Sequence, residues 1–194
     1  YNGDANYTSA TGKANFTVRA IDSSVSVDVS NITYGDNEII KFNVTDGATG
    51  TVALVIAGDT YIKELSGSKV NFTIPGLIAR DYHVTAYYLG DTYYDLSNST
   101  ANFTVNENTI KLTLDVGGDV GVGDSKTITV KLNVSDATGN VIIKVNGISY
   151  LAPIEGNVAT LTLNNLTGGI YSVQALYDGN GKYLANQSDV KSFN

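Results

Sequence analysis

The chain contains no cysteine. Disulfides, thiolate metal sites and cysteine nucleophiles are therefore excluded, and any core must hold without covalent staples. Tryptophan is absent, and arginine occurs only at Arg19 and Arg80. Histidine occurs once, at His83, with no second imidazole or nucleophile motif beside it to make a zinc or catalytic site. Charged residues make up 16% of the chain, against about 25% in ordinary soluble domains. Net charge is −7. That acidity disfavours nucleic acid, whose phosphates want a basic stripe, and an anionic membrane surface. No apolar run approaches the ~20 residues of a membrane-spanning helix, so no membrane insertion is expected. No secretory leader is recognisable, and Tyr1 reads as an internal position, with leader and anchor expected elsewhere.

Hydrophobic residues reach 42%, enough for a packed core. The wet surface is built from Asn, Ser, Thr, Gly and Tyr, with Asn occurring twenty times. A length of 194 residues suits two domains of about 90–100 each.

One ending occurs three times: YNGDANYTSATGKANFTV (1–18), YLGDTYYDLSNSTANFTV (88–105) and YDGNGKYLANQSDVKSFN (177–194). Tyr1 and Tyr88 lie 87 residues apart; Tyr82 and Tyr171, Tyr88 and Tyr177, and Tyr94 and Tyr183 lie 89 apart. YGDNEIIKFNVTDGATG (34–50) matches VGDSKTITVKLNVSDATG (122–139), with two extra residues expected in the second strand and one fewer in its turn. Such a period exceeds solenoid repeats of about 20–50 residues and fits a small domain. Ile40, Phe42 and Val44 alternate with Ile39, Lys41 and Asn43, and Val141, Ile143 and Val145 flank an outward Lys144. Period-2 alternation predicts half-buried strands. Asn146-Gly147 between two apolar runs predicts a two-residue hairpin. No segment keeps a helical period, so the sequence predicts an all-β protein of six or seven short strands per copy, a β-sandwich. Leu77 and Leu166 each stand five residues before a strand-opening tyrosine, Tyr82 and Tyr171. This spacing predicts tyrosine corners, in which the hydroxyl bonds back to the main chain.

The order of these elements, with VNFTIPGL, then YHVTAYYLGDTYY and a last NFTV, resembles the bacterial immunoglobulin-like domains of group 3. The resemblance implies tandem repeats in large surface proteins and adhesins, including adhesin-like proteins of methanogenic archaea. It divides the chain into residues 1–18, the closing strand segment of a preceding repeat, and two sandwiches at 19–106 and 107–194. The third ending departs from the pattern: Asn180 replaces the Asp of the Gly-Asp pair.

Candidate sites follow from residue type. Calcium at Asp4 or Asp91, or at the linker through Glu107 and Asn108, is one reading. The favoured one is a turn in which the Asp bonds its own backbone, because a strong calcium site needs several converging oxygens. Ten Asn-x-Ser/Thr sequons, at Asn6, Asn15, Asn31, Asn43, Asn71, Asn98, Asn102, Asn133, Asn165 and Asn186, are candidate glycosylation sites on outward faces. Lys41, Lys131 and Lys144 point outward by parity, which disfavours an internal Lys–Asn cross-link. Tyr87 and Tyr93 are candidate binding residues on the outward face.

These features make a structural stalk of an extracellular, cell-surface or cell-wall protein the leading expectation, with neighbouring repeats as partners and no cofactor. The linkers VRAID (18–22) and VNENT (105–109) contain neither Pro nor Gly, so one strand should run almost directly into the next domain. A module gripping a glycan or protein on another cell is the second reading. A fibre subunit that self-associates through residues 1–18 is the third. An enzyme is the least expected class.

Overall fold

The computed structural model describes all 194 residues. The protein is all-β and contains two immunoglobulin-like sandwiches. In the first, β1 (Val25–Asp28), β3 (Glu38–Val44) and β6 (Lys69–Ile74) form one sheet in the order β1-β3-β6. The facing sheet runs β2-β8-β7-β4-β5, from β2 (Ile32–Thr33), β4 (Thr51–Ile56), β5 (Asp59–Glu64), β7 (Arg80–Tyr88) and β8 (Ser97–Asn106). All pairs are antiparallel except β2 on β8. The opening strand thus changes sheets between β1 and β2.

The second sandwich repeats this plan. One sheet holds β9 (Leu112–Asp115), β10 (Lys126–Leu132) and β13 (Val158–Leu163). The other holds β11 (Asn140–Val145), β12 (Ile148–Pro153) and β14 (Tyr171–Tyr177), with β15 (Asn186–Gln187) and β16 (Lys191–Phe193) both on β14. The Asn146-Gly147 hairpin joins β11 to β12, both residues at positive φ. Its counterpart in the first sandwich is Ala57-Gly58, also at positive φ, where an alanine bears a strain that asparagine tolerates better.

Alternation builds the cores. Val84, Ala86 and Tyr88 enter the first; Val173, Ala175 and Tyr177 enter the second. The two cores share no buried residue, but Tyr34 packs against both. The Tyr82 hydroxyl donates to the Ile78 carbonyl (3.0 Å) and its ring stacks on Phe103 (5.4 Å between centroids). The Tyr171 hydroxyl donates to the Thr167 carbonyl (3.2 Å), and its ring stacks on Phe193 (5.1 Å).

The structure corrects the alignment expected for the second copy. Strands β3 and β10 are both seven residues long, and Val44 and Leu132 occupy the same register against β1 and β9. No insertion lies in the strand; the one extra residue lies in the turn before Ala137. A slip of two preserves side-chain parity, so the apolar pattern fits both registers equally well.

Two inward positions carry charge. Glu38 opens β3 fully buried, its Oε1 accepting the Ser30 N–H (2.9 Å). Lys126 opens β10 in the same place, donating to the Gly118 carbonyl with its Nζ 5.1 Å from the Phe193 ring centroid. Both satisfy main-chain groups where the opening strand leaves its first sheet, a segment without ladder partners of its own.

Candidate functional site: the junction between the sandwiches

The repeated Gly-Asp ending forms the same loop three times. Asp91 Oδ1 accepts the N–H groups of Tyr93 (2.7 Å) and Tyr94 (2.8 Å). Its Oδ2 accepts the Thr49 N–H (2.9 Å) and hydroxyl (2.8 Å). Desolvation opposes its charge, but the hydrogen bonds from Thr49, Tyr93 and Tyr94 together outweigh it and hold the carboxyl well below the usual range. Asp4 Oδ1 accepts from the Asn6 and Tyr7 N–H groups, and Oδ2 from the Tyr1 hydroxyl. Asn180 does the same work with an amide: Oδ1 accepts the Lys182 and Tyr183 N–H groups, both at 3.1 Å. The loop therefore needs a short side-chain acceptor and not a charge, and the oxygens of Asp4 and Asp91 are spent on protein donors. Glycine precedes each acceptor because the chain closes tightly there; a Cβ on Gly179 would lie 2.7 Å from the Tyr183 carbonyl oxygen.

On this loop the two sandwiches meet. Two residues after β8 ends at Asn106, Asn108 bridges to Tyr183 in parallel fashion. Its N–H donates to the Lys182 carbonyl (2.8 Å), and its carbonyl accepts from the Leu184 N–H (2.9 Å). Tyr34, in the turn between β2 and β3, lies across this linker. Its N–H donates to the Asn106 carbonyl (2.8 Å), and its own carbonyl accepts from Asn108 Nδ2 (2.9 Å). Its hydroxyl reaches the other sandwich and donates to Asp136 Oδ2 (2.8 Å). The Tyr183 hydroxyl donates to Asp136 Oδ1 (2.5 Å), and Lys182 Nζ lies 3.3 Å from Oδ2 and 5.4 Å from the Tyr34 ring centroid. The Tyr34 and Tyr183 rings meet edge to face at 5.6 Å and 82°, a favoured aromatic geometry.

The electrostatics agree with this geometry. Hydrogen bonds from Tyr183 and then Tyr34, helped by Lys182, hold the Asp136 carboxyl below the usual range. Burial first, and then Asp136, push the Tyr183 phenol up. The Tyr34 hydroxyl and then Asp136 raise Lys182. The sequence offered one signal for this cluster: Tyr34 becomes Val122 in the second copy, at an otherwise matching Gly-Asp turn.

The remaining candidates are dispersed. Glu107 enters no side-chain hydrogen bond, and Asn108 Oδ1 accepts the N–H of Thr109 (2.7 Å), so the linker serves the joint. Tyr87 sits on the outer face of β7 opposite Asn98, and Tyr93 projects from the loop; both are exposed. Their counterparts in the second sandwich are Leu176 and Lys182, so no tyrosine patch repeats. His83 Nδ1 lies 2.8 Å from Asn102 Oδ1 on the outer face, beside a Thr104–Asp81 hydrogen bond (2.6 Å).

Nine of the ten sequon asparagines are exposed and Asn43 is half-buried. Asn31 and Asn133 accept N–H groups from Thr104 and Lys111 through Oδ1, and neither Nδ2 donates a hydrogen bond. Asn186 differs: its Nδ2, the atom a glycan would take, donates to the Ile110 carbonyl.

No protein-family model and no curated protein matches the chain. Among solved structures it is similar to fibronectin(III)-like modules of CbhA from Clostridium thermocellum, with 14% identity over 88% of this chain and 92% of that one, TM-score 0.36. It is similar to the amphioxus IgVJ-C2 molecule, with 17% identity over 84% of this chain and 97% of that one, TM-score 0.43. The human OSCAR ligand-binding domain also aligns, with 14% identity over 90% and 99% of the two chains, TM-score 0.34.

Proposed function

We propose that this chain is a length of stalk from an extracellular, adhesin-like surface protein, built from immunoglobulin-like repeats of the group 3 type. Its task is mechanical: each sandwich is a spacer, and the joint between spacers fixes their angle. The observation that carries this reading is the Tyr34–Asp136–Tyr183 cluster laid over a short linker. It ties three elements together: the turn of one sandwich, the linker itself and the closing loop of the next. A flexible tether would need none of these contacts, and Gly- or Ser-rich linkers supply that flexibility elsewhere. The wet faces carry Asn and Thr in place of charge, which suits solubility and offers the outward sequons to glycans. Neighbouring repeats are the partners, and the stalk performs no catalysis.

Nitrogen-15 relaxation measures the rotational correlation time of each sandwich separately. A stalk with a fixed joint gives equal values for the two, and Asp136→Ala separates them. Unequal, short values in the unaltered chain would remove the reading. Grip through Tyr87 and Tyr93 is the competing outcome, and would appear as glycan or protein binding lost on their replacement.

A further inference from the structure

Residues 1–18 make no hydrogen bond to the rest of the chain. Every residue from Asp4 to Arg19 is exposed, and the hydrogen bonds of the segment are internal. Yet it is already shaped. The Ala10 N–H donates to the Tyr1 carbonyl (3.1 Å) and the Asp4 N–H to the Tyr7 carbonyl (2.8 Å). These are the contacts of the β7–β8 connection, where Tyr88 pairs with Ser97 and the Asp91 N–H donates to the Tyr94 carbonyl (3.0 Å). The correspondence with residues 88–105 is gap-free over all eighteen positions and ends in the identical NFTV.

Burial separates the two copies. Phe103 and Val105 are 3% and 1% exposed; Phe16 and Val18, at the same positions, are 89% and 83% exposed. Tyr88 is 1% exposed and its counterpart Tyr1 is 65% exposed. An apolar row of this kind, left exposed on a segment with no sheet partner, is surface that takes a sheet.

We propose that residues 1–18 are the closing hairpin arm of a further immunoglobulin-like sandwich lying upstream in the same polypeptide. Phe16 and Val18 complete that sandwich's core, Phe16 stacks on its corner tyrosine as Phe103 stacks on Tyr82, and Tyr1 ends the strand with which the arm pairs. The spacing after the arm selects this acceptor over a second copy of the chain. Three residues beyond Val105, Asn108 bridges to Tyr183; three residues beyond Val18, Ile21 bridges to Tyr94 with the same pair of main-chain hydrogen bonds. The arm therefore enters the first sandwich as β8 enters the second. The proposal extends the stalk reading without using the Tyr34 joint, so either can fail alone.

Two experiments on the full chain decide it. In the first, residues 88–105 are replaced by the sequence of residues 1–18. The arm is expected to close the first sandwich: cooperative unfolding is kept, and replacing the grafted phenylalanine by alanine lowers the midpoint as far as Phe103→Ala does in the unaltered chain. A first sandwich left unfolded by the graft, or one insensitive to the grafted phenylalanine, overturns the proposal. In the second, sedimentation velocity compares the full chain with residues 19–194 across a concentration series. Both are expected to stay monomeric. Association of the full chain alone would make a second copy the acceptor and overturn the upstream assignment.

Discussion

The leading ends of the two sandwiches share a backbone and differ in side chains. At both, the incoming linker bridges to the closing loop: Ile21 to Tyr94 in the first, Asn108 to Tyr183 in the second. At the second end, Asn108, Lys182, Tyr183 and Asp136 receive Tyr34. At the first, the matching places hold Ile21, Tyr93 and Tyr94, and Gly47 stands where Asp136 stands, counted back from Ala48 and Ala137. A Cβ on Gly47 would lie 3.3 Å from the Tyr94 hydroxyl, which turns to the Asp46 carbonyl (3.1 Å). Ile21 and Tyr93 are exposed, and Tyr183 is buried. The main chain thus sets the path between repeats, and a few side chains decide whether a given joint is locked.

The largest expected contrast lies in the two closing tyrosines. Tyr183→Ala removes a buried ring and strands Asp136 and Tyr34, and should cost the second sandwich about 3–5 kcal/mol. Tyr94→Ala removes a half-exposed ring with one main-chain bond and should cost the first about half as much. Denaturant unfolding with residue-resolved hydrogen exchange assigns each loss; equal losses would break the comparison.

A smaller contrast of opposite sign lies one strand away. The Tyr177 hydroxyl donates to the Thr138 carbonyl (3.2 Å). The buried Tyr88 hydroxyl has no hydrogen-bond partner, and burial, then Asp91, push its pKa to about 12. Tyr177→Phe should destabilise by about 1 kcal/mol, and Tyr88→Phe should be neutral or stabilising by up to about 1 kcal/mol. The same unfolding assay reads both.

The smallest is a pH effect. Asp91 is held below its unfolded value, so its contribution is fully present above about pH 4 and is lost as pH falls through the lower folded value. Asn180 performs the same role without titrating. Asp91→Asn should therefore flatten the acid limb of the first sandwich's stability, measured as its unfolding midpoint between about pH 5 and pH 2. An unchanged acid limb would assign it to other carboxylates.

Parity made most of this architecture legible. Alternation located the inward residues of β3 and β11, and tyrosine spacing pointed to the two corner residues. Parity also misled, because a two-residue slip in β10 fits the apolar pattern as well as the true register. Glu38 and Lys126 stand one inward step before the apolar rows of β3 and β10, and charged side chains at inward positions are easily taken for strand ends. The joint was hardest to see. Tyr34 and Asp136 lie 102 residues apart, in turns whose local sequence reports only turn chemistry. Only the mismatch of Tyr34 with Val122 between otherwise matching copies marked it.

The most direct test of a locked joint uses the absence of native cysteine. Spin labels at Thr73→Cys and Thr162→Cys, exposed on β6 and β13, report the distance between the sandwiches by pulsed electron resonance. The joint described here predicts one narrow distance distribution, broadened by Tyr34→Ala and by Asp136→Ala. A distribution already broad in the otherwise unaltered chain, or one that neither replacement changes, would contradict it.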